Sequence, residues 1–144
     1  MRGARLTLLT LLLPLFWLPH AACAQDMVVI VNARSHVRSL TRDQVTDIFM
    51  GRFRQLPSGA TALPIDVADA AMRQTFYRRL VHKDLAEIGS YWARLVFSGE
   101  ASPPFQAPDT RTALTLVATN PDAIAYCYRA NVTGRVRVVL DLKP

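Results

Sequence analysis

The run Met27-Val28-Val29-Ile30-Val31 constrains this chain more than any other stretch. Its consecutive apolar, mostly β-branched residues show no alternation between an inner and an outer face, so they predict a central strand covered on both faces. Such a strand needs other elements above and below it. The remaining sequence offers them in turn. Thr41 and Gln44 form a capping box and Leu40 with Val45 a hydrophobic staple. They open a helix with Val45, Ile48 and Phe49 on one face and Gly51 at its C′ position. The Pro57 and Gly59 turn leads to a short strand near Ala62 to Ile65, and Asp69 then caps a helix in which Met72, Phe76 and Leu80 repeat every four residues. Asp84 and Glu87 open a further helix, with Leu85, Ile88, Trp92, Leu95 and Val96 on one stripe and Gly99 as its stop. The proline-rich "SPPFQAP" reads as irregular. Asp109 caps a helix from Thr110 to Thr119, stopped by Asn120-Pro121, and "AIAYCY" and "RVRVVL" read as strands around the turn "RANVTG". The order strand, helix, strand, three helices, strand, strand predicts an α/β layered domain with a mainly parallel sheet.

Before this domain stands "MRGARLTLLTLLLPLFWLPHAACA", with Arg2 and Arg5 ahead of an apolar run from Leu6 to Leu18 and a small-residue exit. This pattern predicts a secretory signal peptide over residues 1–24, cleaved after Ala24, and a periplasmic or secreted product that does not span a membrane. A lipoprotein reading through Cys23 is the alternative, with His20 standing where that signal wants an aliphatic residue. Cleavage leaves residues 25–144 as a single domain. Of the two cysteines only Cys127 then remains, so no internal disulfide is available. Loss of Arg2 and Arg5 takes the 17 basic residues to 15 against 11 acidic, a net charge of +4. The arginines are spread along the chain, which favours a solvated basic surface over a nucleic-acid site.

Several stretches together resemble one lobe of the periplasmic phosphate-binding proteins of ABC transporters, in the type 2 periplasmic binding protein superfamily. They are "VVIVN", "LTRDQVTDIFMGRFRQLPSG", "LPIDVADAAMRQTFYRRL", "YWARLVF" and "VATNPDAIAYC". The resemblance implies a three-layer α/β lobe and a non-catalytic, exported solute-binding-like protein taking a small oxyanion such as phosphate, with a permease, receptor or sensor as envelope partner. It implies no enzyme activity and no cofactor. The sequence departs from the family at the anion loop. Where relatives carry a Gly-Ser-Gly-Thr-like segment, this chain has Ala68-Asp69-Ala70-Ala71, and Asp122 and Ala125 replace late glycines. An alternative therefore stands beside it: an interaction or sensory module that keeps the fold and has lost phosphate binding.

The candidate ligand-binding residues are Asp69, Ala70, Ala71, Met72 and Arg73 at a helix N-terminus, with Arg34 and Ser35 after the first strand. Free N–H groups and the positive end of the helix dipole meet there, and the arginines add charge. A helix capped by its own Asp69, with solvated arginines, is the competing reading. Tyr91, Trp92 and Phe97 read as core packing ahead of a ligand patch. His36 and His82 lack metal-ligand spacing, so no metal site is expected. Cys127 reads as a buried thiol, and no nucleophile elbow or acid–base carboxylate pair is marked out.

Overall fold

The computed structural model describes residues 25–144; the leader and Cys23 lie outside the described residues. The elements are β1 (Met27–Asn32), α1 (Arg42–Phe49), β2 (Leu63–Val67), α2 (Ala70–Val81), α3 (Leu85–Ser98), β3 (Phe105–Ala107), α4 (Thr110–Thr119), β4 (Ala123–Tyr128) and β5 (Val136–Leu142). The strands form one sheet in the order β3-β2-β4-β1-β5. β2 runs parallel to β3 and β4, whereas β1 is antiparallel to β4 and β5. Four strands thus point one way and β1 points back. Every residue of β1 is buried, as its unbroken apolar run requires.

The connections place the helices. From β2 the chain steps outward to β3 through α2 and α3, then inward past β2 to β4 through α4. Right-handed crossovers in opposite directions put α2 and α3 on one face and α4 on the other. Side chains agree with this. On the first face Tyr126 of β4 stacks on Phe76 of α2 with centroids 3.7 Å apart, and Phe49 of α1 meets Phe76 edge-on at 4.8 Å. From β1, Asn32 Nδ2 donates to the carbonyls of Val117 and Ala118 at the end of α4, at 2.9 Å each. The expected helix–sheet–helix layers are present.

Most local expectations hold. Thr41 and Asp84 make capping boxes, Asp69 and Asp109 cap their helices, and Gly51 and Gly99 have the positive φ that ends a helix. Gln55 and Thr61 bridge across the Pro57–Gly59 turn. Two details differ, and a third is new. The proline-rich segment holds β3, because edge strands tolerate flanking prolines that a central strand would not. Phe97 is 96% exposed and Val96 54%, since α3 presents only the Ile88 and Trp92 side to the core. One register shift falls between Val29 and Ile30 against β5, and the carbonyl of Val139 there accepts the N–H of Leu40 at 2.9 Å. No described helix is long and apolar enough to cross a membrane.

Candidate functional site

The carboxyl ends of β2 and β3 face the start of α2, and at the end of β2 sits a buried carboxylate, Asp66, 3% exposed. A charge in that position survives only if it is paired and hydrogen-bonded. Asp66 is both. Its Oδ1 accepts from the Val67 N–H at 2.8 Å and from the Tyr126 hydroxyl. Its Oδ2 accepts from Arg73 Nε at 3.0 Å and from the Tyr77 hydroxyl at 3.2 Å. Burial first, and then the negative charge of Asp66, push both phenols well above the usual tyrosine range. They stay neutral and act as donors.

This set fixes Arg73. Its Nε is committed to Asp66, while its two terminal nitrogens make no hydrogen bond among the described residues. Arg73 and Asp66 line a cleft of about 320 Å³ whose walls include Ile88 and Trp92 of α3 and Pro103 and Pro104 ahead of β3. The cleft therefore offers one oriented guanidinium against apolar walls, with Gln106 as a further polar group. That is the composition of a small-solute pocket: apolar surface for area, a few polar groups for orientation. Trp92 is itself nearly buried, and its indole N–H has no partner among the described residues.

The predicted site residues divide into two groups. Asp69 to Arg73 lie together at the α2 N-terminus, but Asp69 occupies it: its carboxylate accepts the Met72 N–H at 2.9 Å. Met72 is buried, its sulfur touched by the Thr110 hydroxyl, and Ala70 and Ala71 are exposed. Arg34 and Ser35 lie apart from them. Because β1 runs against β4, its end at Val31 and Asn32 pairs with the beginnings of β4 and β5. The loop that follows thus lies at the opposite edge of the sheet from α2's start. There Arg137 donates to the carbonyls of Ala33 and Ser35, and the Ser35 hydroxyl accepts the Val37 N–H, which are structural roles.

Sequence reasoning passed over Tyr77, Tyr126 and the wall residues Pro103 and Pro104. Its one available signal was Asp66, a charge inside the apolar strand Leu63–Val67. Tyr91 is tied to the core edge by its hydroxyl, which donates to the Met50 carbonyl at 2.7 Å. Cys127 is buried, and burial pushes its thiol up to about 11. Among the described residues no group of three or more His, Cys, Asp or Glu is placed to hold a metal ion.

No protein-family model matches the sequence, and a search of curated proteins finds no match. Solved structures do match. One is a Clostridium perfringens protein described as a phosphate ABC transporter substrate-binding protein with bound phosphate: TM-score 0.63, 19% identity, 80% of this chain and 44% of that one. A second is a Vibrio cholerae ABC-type phosphate transport receptor: TM-score 0.63, 16% identity, 80% and 45%. A third is a Planctomyces limnophilus protein described as phosphate-binding: TM-score 0.56, 9% identity, 80% and 40%. This chain spans less than half the length of each. It has the fold of one lobe of the phosphate ABC transporter substrate-binding proteins.

Proposed function

We propose that the chain is an exported, non-catalytic solute-binding lobe whose ligand sits in the Asp66–Arg73 cleft. The ligand is a small monovalent oxyanion with an apolar body, such as a carboxylate. The observation that carries this reading is Arg73, held through Nε by a buried carboxylate with its terminal nitrogens unused. Those nitrogens match the two oxygens of a carboxylate, and Trp92, Pro103 and Pro104 suit an apolar body. Phosphate fits less well here than in the proteins of like fold. Asp69 fills the helix N-terminus, and Asp66 cancels the Arg73 charge that a dianion would need.

Trp92 provides the test, because of the two tryptophans in the sequence it is the one within residues 25–144. Benzoate, acetate, phosphate and sulfate are titrated at constant ionic strength while its fluorescence and the thermal transition are followed. Benzoate is expected to change the fluorescence and, at about a hundredfold excess over its Kd, to raise Tm by several degrees. The response is lost in Arg73→Gln. Phosphate acting alone would restore the oxyanion reading of the sequence.

A second reading, a protein-interaction module, is favoured by the exposed apolar side chains Val96, Phe97 and Phe105 on α3 and β3. If no small anion moves either signal while a partner binds and Phe97→Ser abolishes that binding, this reading replaces the first.

A further inference from the structure

The arginines are scattered in sequence, but the fold collects several at the other end of α2. With a rise of about 1.5 Å per residue, the 12 residues of α2 set that end some 18 Å from its start. A cleft of about 550 Å³ opens there, lined by Arg42, Arg78, Arg79, His82, Lys83 and Lys143, with Asp84 and Glu87 as its side-chain carboxylates and Pro144 beside them. Both carboxylates are committed. Asp84 accepts the Glu87 N–H at 2.9 Å; Glu87 accepts the Asp84 N–H at 2.9 Å and pairs with Lys83 at 3.3 Å. Among the described residues no ion pair involves Arg42, Arg78, Arg79, His82 or Lys143.

A helix C-terminus attracts cations through its dipole, which accounts for Arg78 and Arg79. It does not account for the convergence of α1, through Arg42, and the segment after β5, through Lys143. Two guanidiniums are also held in place by backbone. Arg42 Nη1 donates to the carbonyls of Arg79 and Leu80, and Arg79 Nη1 donates to those of Gln25 and Leu142 at 3.1 and 3.0 Å. The first pair of bonds covers two of the carbonyls that would repel an anion. Both lower the ordering cost that binding would otherwise carry.

We propose that this cleft is a second binding site, for a phosphate-bearing anion with two or more negative charges. Guanidinium groups offer paired donors to phosphate oxygens, and the cleft volume admits a pyrophosphate or a lipid headgroup. The site is independent of the Asp66–Arg73 cleft.

All described elements lie within Gln25–Pro144, and the test uses that segment. Pyrophosphate is titrated by calorimetry at constant ionic strength, and vesicles of phosphatidylcholine containing cardiolipin, a lipid whose headgroup bears two phosphate charges, are tested by co-sedimentation. The variant is Arg78→Gln with Lys143→Gln, two side chains with no hydrogen bond in the described fold. At least one probe is expected to bind, and the double variant to weaken it about tenfold or more. Pyrophosphate alone identifies a soluble ligand; vesicles alone identify a headgroup. Binding of neither probe, binding unchanged in the double variant, or pyrophosphate binding that shifts Trp92 fluorescence overturns the proposal.

Discussion

Asp66 leaves little room for change. Its carboxylate holds Arg73, Tyr77, Tyr126 and the turn into Val67 at once, so removing its charge leaves several buried groups without their partner. Asp66→Asn is expected to cost about 3 kcal/mol in urea unfolding and to release Arg73 from the cleft. The phenols set an alkaline limit as well. Both have raised folded-state values, so until the pH approaches about 10, where a free phenol is half ionised, they are neutral in both states. Above that the unfolded chain gives up protons that the folded chain keeps, and stability falls as pH rises. A tyrosinate absorbance titration should show Tyr77 and Tyr126 ionising only with unfolding, and Tyr126→Phe should shrink that alkaline loss. Of all this the sequence exposes only the charge in an apolar strand. Its partners lie 7, 11 and 60 residues away and meet it through tertiary packing.

Helix boundaries, by contrast, are written locally. Thr41, Asp69, Asp84 and Asp109 each bond an N–H three residues on, so the sequence alone places all four starts. The ends are glycine-dependent to different degrees. Gly51 and Gly99 share φ +72°, but a methyl group added at Gly51 would lie 2.8 Å from Trp92 Cη2, whereas Gly99 faces open space. Gly99→Ala should therefore cost about 1 kcal/mol in backbone strain alone, and Gly51→Ala about 2 to 3 kcal/mol because the packed indole must also move. Paired thermal melts of the two variants check the difference. The three-residue β3 was not legible, since its pairing comes from β2 across two intervening helices and its own residues carry prolines just before it. The reversed direction of β1 was equally hidden, because periodicity reports burial and not polarity along the chain. That reversal carries Arg34 and Ser35 away from the start of α2.

At the scale of the whole molecule, the helix order and the layers were readable from alternation, and the convergence of Arg42, Arg78, Arg79 and Lys143 was not, because it needs the folded path. β1 also decides how the chain comes together. Val29 pairs with Tyr126 on one side and Leu140 on the other, nearly the full length of the described chain away. A segment ending at Gly134 keeps every helix yet strips β1 of one neighbour and uncovers its apolar residues. It is expected to lose the cooperative urea transition of the chain ending at Pro144, with circular dichroism as the readout. The strand synthesised first among the described elements thus waits for the two synthesised last. Closure of this sheet therefore waits on β5, so a growing polypeptide leaves the apolar residues of β1 uncovered and accessible to chaperones or proteases until that strand has emerged.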